Sequence, residues 1–305
     1  DGNYAFSETG ALRLNVMRTG GDMPGRDQVK MNRWGVAPSV AFGLGTPTRL
    51  ILSYSHIENN DTPDLGIPFK NEANPNRVTP IKVDRDLYYG RAGVDFRENT
   101  FDTATAQLEH DLNDQLTVRN TTRYGTSLNH YLLTRPSFDN CADSTAASCL
   151  NEDADLLFTR ADRMRWRKSE SLINQTDLFG HFETGAFMHQ FAAGLEFSKE
   201  EISSRVMSGG PGPDTDSFWN PNPNRTYQSR LAYGPKLKDG DISTQSAYFF
   251  DTMEINEQWS VNGGLRYDKF KVTDAKTGVS RSDGLWNYQA GVVFKPAPNG
   301  SIYLS

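Results

Sequence analysis

A period of two constrains this chain more than any other feature. Between Trp34 and Leu44, the side chains of Trp34, Val36, Val40, Phe42 and Leu44 point one way in an extended backbone, and Gly35, Ala37, Ser39, Ala41 and Gly43 point the other. At 187–197, Phe187, Phe191, Ala193, Leu195 and Phe197 oppose Gln190, Ala192, Gly194 and Glu196. At 259–268, Trp259, Val261, Leu265 and Tyr267 oppose Ser260, Asn262, Arg266 and Asp268. Each segment has one apolar face and one polar face, and each is about ten residues long.

Weaker versions of the pattern lie near 10–18, 48–57, 103–112, 116–126, 171–182, 243–255, 286–294 and 301–305. Together these give about eleven strands. In the 243–255 segment the adjacent Phe249 and Phe250 break the alternation and leave its facing open. The connections alternate in length. Short ones fall at Gly45–Thr48, Asn113–Asp114, Glu183–Gly185, Asn256–Gln258 and Pro296–Gly300, and long ones at about 19–33, 58–102, 127–170, 198–241 and 269–285. If successive strands are antiparallel neighbours, all the short turns lie at one end of the sheet and all the long loops at the other.

That asymmetry matches an all-β fold, an antiparallel transmembrane β-barrel with short periplasmic turns and long external loops. A closed sheet is one of the few structures that pairs every backbone amide in lipid. A soluble β-sandwich or propeller shares the alternation, but loops longer than about 15 residues are uncommon in compact soluble domains. Hydrophobic residues make up only 36% of the chain, and no apolar run is long enough for a membrane-spanning helix. The net charge of −6 argues against a general nucleic-acid binder. The start, DGNYAFSETG, contains no charged segment followed by an apolar stretch and cleavage site, so any secretory signal is expected to have been lost already, and its absence does not mean cytoplasm. Bacterial barrels have even strand numbers, so residues 1–305 read as part of a larger wall.

The hairpin SAYFFDTMEINEQWSVNGGLRYDKF (246–270) resembles the barrel hairpins of TonB-dependent outer-membrane receptors. TATAQLEHDLNDQLTVRNTTRYG (103–125) and HQFAAGLEFSKE (189–200) resemble two more. NNDTPDLGIPF (59–69) followed by VDRDLYYG (83–90) narrows the likeness to the catecholate siderophore receptor branch. The resemblance implies a portion of a 22-stranded, plugged barrel, with the plug domain and the C-terminal strands outside residues 1–305. It implies energy-coupled uptake of ferric siderophores at the outer membrane, with the siderophore as transported ligand and no cofactor. Its expected partners are TonB, acting through the plug, and outer-membrane lipid and lipopolysaccharide. It implies a monomer and no enzyme. A passive porin and a secreted β-rich binding protein or hydrolase are the alternatives.

No nucleophile elbow, zincin motif, P-loop or dinucleotide fingerprint is present. His56, His110, His130, His181 and His189 are scattered, without metal-ligand spacing, and Asp239-Gly240-Asp241 reads as a turn. Cys141 and Cys149, in NCADSTAASC, read as a disulfide of an external loop, with two free thiols as the alternative. Ferric catecholates are anionic and aromatic, so their receptor should offer cations and rings on its external loops. Two loops do so: 58–102 with Arg77, Lys82, Arg85, Tyr88, Tyr89 and Arg91, and 198–241 with Phe218, Trp219, Arg225, Tyr227, Arg230 and Tyr233. Lipopolysaccharide contacts, loop packing and an interfacial aromatic belt are the competing uses of these residues. Arg13, Arg119, Arg123, Glu109, Asp111, Arg266 and Asp268 are expected on the inner, polar face, because a charge facing lipid at midplane costs about 2–4 kcal/mol.

Overall fold

The computed structural model describes residues 1–67, 69–71, 78–80, 83–137 and 157–305. Arg77, Lys82, Cys141 and Cys149 lie outside the described residues. Four strands come first: β1 (Gly2–Ser7), β2 (Gly10–Asp22), β3 (Lys30–Phe42) and β4 (Thr48–Asp61). After the small pair β5 (Phe69–Asn71) and β6 (Val78–Pro80) come β7 (Phe96–Asp111), β8 (Leu116–Ser137), β9 (Leu157–Thr184) and β10 (Phe187–Arg205). The loop strands β11 (Met207–Ser208), β12 (Asp214–Ser217) and β13 (Ala232–Tyr233) precede β14 (Leu237–Glu254), β15 (Trp259–Asp274), β16 (Ser280–Ala297) and β17 (Gly300–Leu304). One antiparallel sheet runs β1-β2-β3-β4-β7-β8-β9-β10-β14-β15-β16-β17, and β12 adds to the upper part of β9.

The order is the meander that alternating short and long connections demand. The shortest turns need special backbone. Between β3 and β4, Gly43 has a φ of 72°, and a Cβ there would fall 2.0 Å from the Thr48 carbonyl.

The strand faces separate as the period of two requires. Leu12, Leu52, Leu108, Leu172, Leu195, Phe249, Leu265 and Tyr288 share one side and remain exposed. On the other side Arg119 pairs with Asp177 at 3.2 Å, Arg49 with Asp111 at 2.6 Å, and Arg266 with Asp268 at 2.8 Å. Apolar outside and ion-paired inside is the polarity of a membrane barrel wall, the reverse of a soluble domain. Phe249 points outward. Phe250 turns inward and lies on Gly264, where a Cβ would be 1.9 Å from its ring. One outward polar group, Asn120, Thr122, Asn174 and Thr176, satisfies itself across β8 and β9, with bonds of 2.8 Å from Asn120 to Thr176 and 2.7 Å from Asn174 to Thr122.

Three expectations change. The wall path has twelve strands, because Gly2–Ser7, with Tyr4 facing outward opposite Leu12, is a strand of its own. The loops expected at 58–102, 127–170 and 198–241 shorten because β7, β8, β9 and β10 continue well past the hydrocarbon. The 269–285 loop shrinks to residues 275–279. Above the hydrocarbon both faces of a strand meet water or protein, so the apolar half of the signal disappears while the hydrogen-bond ladder continues. Asp239-Gly240-Asp241 lies inside β14, where the pairing with β10 shifts register, and is a bulge rather than a turn.

Candidate functional site

The extension of β8 and β9 dominates the loop end of the wall. Their register runs without a shift from Leu116↔Gly180 to Ser137↔Thr159. Faces assigned inside the membrane therefore hold to the top: odd-numbered residues of both strands continue the lumen side, and even-numbered residues continue the outer side.

The even face is covered by loops. Tyr89, Phe158 and Phe218 form a small core, with rings 5.1 and 5.2 Å apart, joined by Ile67, Val83, Leu87 and Trp219. Around it lies a neutral ionic lattice of three arginines and three aspartates. Arg91 meets Asp162 at 2.5 Å and Asp214 at 2.7 Å, and donates to the Gly212 carbonyl at 2.6 Å. Arg160 meets Asp216 at 2.8 Å and donates to the Tyr89 carbonyl and the Tyr227 hydroxyl, both at 3.1 Å. Arg225 closes on Asp216 at 3.1 Å. Asp95 accepts from Thr134 Oγ1 at 2.7 Å, from two backbone amides, and from the Tyr88 hydroxyl. Arg26 ties the loop after β2 to the same body through Asp64 and the Arg85 carbonyl.

Burial sets the acid–base behaviour of this cluster. It pushes the Tyr88, Tyr89 and Tyr227 phenols up from their ordinary value and raises the Asp95 carboxyl despite its hydrogen bonds. Burial opposes the charge of Arg91, but its hydrogen bonds to Asp214 and Asp162 outweigh that and raise its pKa. A phenol whose folded pKa lies above its unfolded value favours the folded loops fully at neutral pH. That contribution is lost as pH rises past the unfolded value of about 10. In an alkaline titration followed by phenolate absorbance, these three tyrosines should ionise later than exposed ones, together with loop opening detected by protease. Ionisation alongside the exposed tyrosines, with the loops still closed, would refute the packing.

Tyr88, Tyr89, Arg91 and Phe218, expected to face a ligand, are therefore interior; Arg91 and Phe218 have 0% of their surface exposed. The two loops do come together, but their ring and guanidinium faces are spent on one another. Trp219 packs edge-on to Phe218, and Tyr227 is held by Asp214 and Arg160. Tyr233 bonds to His130 at 2.9 Å, on the outer face. Arg85, Arg225 and Arg230 remain exposed.

The odd face is open and basic. Arg163, Arg165 and Arg167 on β9 and Arg135 on β8 stand exposed on it, with Arg123 lower down. Arg97 of β7 lies opposite Tyr131, which lies opposite Arg165, so a tyrosine sits between two arginines in one row across three strands. None of these six arginines is in an ion pair among the described residues. Among the described residues the Arg163 guanidinium donates only to the Asp162 carbonyl, and Asp61, opposite Arg97, is bonded to Arg33 at 2.9 Å. Asp239 feels the charge of Arg167 across the strands. In sequence alone 127–170 reads as a loop, which hides this column. Its signal was the alternation Arg163-x-Arg165-x-Arg167, a period of two written in charge.

The family description "TonB dependent receptor-like, beta-barrel" matches residues 33–305. The chain belongs to this TonB-dependent receptor family. Members of the family are transport receptors of the Gram-negative outer membrane, which places this barrel wall there. The chain is 34% identical to the probable TonB-dependent receptor BfrD of Bordetella pertussis, covering 100% of this chain and 43% of that protein. It is 32% identical to the catecholate siderophore receptor Fiu of Escherichia coli, covering 100% and 44%. The crystal structure of the ferric-catecholate import receptor Fiu in its closed form superposes with a TM-score of 0.84 at 30% identity, covering 99% of this chain and 46% of that one. The siderophore receptor PiuA from Acinetobacter baumannii gives 0.81 at 29%, covering 99% and 45%. The chain thus spans less than half the length of these TonB-dependent receptors.

Proposed function

We propose that this chain is the ligand-capturing half of the wall of a receptor for ferric siderophores of the catecholate type. The single observation behind this reading is the column of exposed arginines around Tyr131, in no ion pair among the described residues, on the lumen side of the β8–β9 extension. A ferric catecholate carries multiple negative charges on planar aromatic rings. Guanidinium groups suit it twice over, donating N–H to the catecholate oxygens and stacking on the ring faces. The name of the relative Fiu points to the same ligand class, and that of PiuA to siderophores. In this reading the buried loop cluster is a buttress that holds the extension upright, and the odd face is the surface a chelate meets on entering the mouth. Release toward the periplasm is assigned to a plug remodelled by TonB, and no bond is made or broken.

The test uses the full-length receptor purified in detergent, titrated with a ferric catecholate and with a neutral ferric hydroxamate. The catecholate should bind in preference, more weakly as salt rises, since exposed charges are screened over about 8–10 Å at physiological ionic strength. A deletion strain should lose iron-limited growth on the catecholate. No catecholate binding and no growth difference would refute the reading.

A further inference from the structure

We infer that the outer face of the wall carries a docking site for the phosphate groups of an outer-leaflet lipid, centred on Lys199, Lys269 and Lys271. This rests on the barrel wall and not on the siderophore reading.

The register places the three lysines together. Lys199 of β10 lies opposite Ser243 of β14, and Ser243 lies opposite Lys271 of β15. Phe197 lies opposite Gln245, and Gln245 lies opposite Lys269. Phe197 and Leu195 are on the same face, each 51% exposed, and the wall there is lipid-facing. The lysines therefore stand on the outer surface one or two residues above the apolar belt, on the loop side. Two interstrand spacings, roughly 9.5 Å, separate the Lys199 and Lys271 backbones. Flexible four-carbon stems can bring their ammonium groups over the Ser243 hydroxyl and Gln245 amide between them. Directly below, Tyr267 and Trp286 pack with ring centres 4.8 Å apart on the same face, the amphipathic ring pair expected at a headgroup boundary.

The local charges show why these three lysines are the available ones. Glu170 is bridged by Lys168 at 3.0 Å and Lys236 at 2.7 Å, and Asp241 and Glu201 are bridged by Lys238 at 2.7 and 3.3 Å. Two acids, Asp241 and Glu201, share Lys238, and Asp241 also feels the charges of Lys199 and Lys271, but neither of those lysines is within ion-pair distance of it. Lys199, Lys269 and Lys271 are exposed and in no ion pair among the described residues. A cluster of cations left over at the level where lipid headgroups meet water, continuous with an apolar wall that receives acyl chains, fits a phosphorylated lipid and not a free anion.

The experiment is native mass spectrometry of the full-length receptor in detergent with bisphosphorylated lipid A, dephosphorylated lipid A or inorganic phosphate. The triple variant Lys199→Gln, Lys269→Gln, Lys271→Gln should lose about a hundredfold in retention of bisphosphorylated lipid A. Its retention of the dephosphorylated form should be unchanged. Lys295→Gln, at the opposite end of the wall, should have no effect. Ferric catecholate binding, measured on the same variant, should be preserved, which separates this site from the arginine column. Equal retention by the triple variant, an equal loss in Lys295→Gln, or displacement of the lipid by inorganic phosphate at matched concentration would each overturn the inference.

Discussion

Replacing Arg163, Arg165 and Arg167 together with glutamine in the full-length receptor is expected to weaken ferric catecholate binding by about a hundred- to a thousandfold. Hydrogen bonds to charged groups contribute about 1.5–3 kcal/mol each, and exposure lowers that figure here. Three guanidinium groups giving roughly 1–1.5 kcal/mol each reach that range, at 1.4 kcal/mol per factor of ten. The variant should fold normally, because these side chains stand exposed outside the packed cluster and none is in an ion pair among the described residues. Salt dependence should fall along with affinity. Substitution by lysine should recover only part of the loss, since an ammonium keeps the charge but neither the fork nor the stacking plane. Arg225, also exposed and on a loop of the sequence-predicted site, is the informative comparison: it is already bonded to Asp216, and Arg225→Gln should leave affinity nearly unchanged.

The second large effect falls on the buttress. Arg160 is fully buried and serves Asp214, Asp216, Tyr89, Asn222 and Tyr227 together. Arg160→Met leaves the loop cluster one positive charge short, with Asp214 held by Arg91 and Asp216 by the exposed Arg225. Breaking a buried pair by removing one partner costs about 3–5 kcal/mol. The wall ladder from β1 to β17 does not pass through these side chains, so the loss should appear as local opening. In the full-length receptor, backbone amides of 83–95 and 209–227 should exchange much faster and become sites of proteolysis, while the hairpins at the short-turn end keep their protection. Arg160→Lys should not restore the closed loops, because one ammonium cannot reach five acceptors. An Arg160→Met receptor as protected as the parent would show that the lattice does not hold the loops. If the buttress account is right, this variant also loses catecholate affinity without any change to the odd face.

The readable part of the sequence was the part immersed in lipid. Trp34 to Leu44, Phe187 to Phe197 and Trp259 to Tyr267 announce themselves because hydrocarbon on one side and water on the other impose opposite demands on neighbouring residues. Phe249 and Phe250 were ambiguous, because a lumen-facing glycine, Gly264, makes room for an inward ring. Above the membrane that asymmetry is gone, and Arg163, Met164, Arg165, Trp166 and Arg167 look like loop composition until the pairing with β8 is known. Residue type alone could not tell a presented arginine from a buried one. Arg91 and Arg165 are equally good candidates in the sequence, and only the partners Asp162 and Asp214, distant in the chain, consume the first and leave the second.

Anomalous scattering from iron in crystals of the full-length receptor soaked with a ferric catecholate locates the bound chelate. The iron peak is expected on the lumen side of the β8–β9 extension, within reach of Arg163, Arg165, Arg167 and Tyr131. A peak on the opposite face, against the cluster of Tyr89, Phe158 and Phe218, would contradict it.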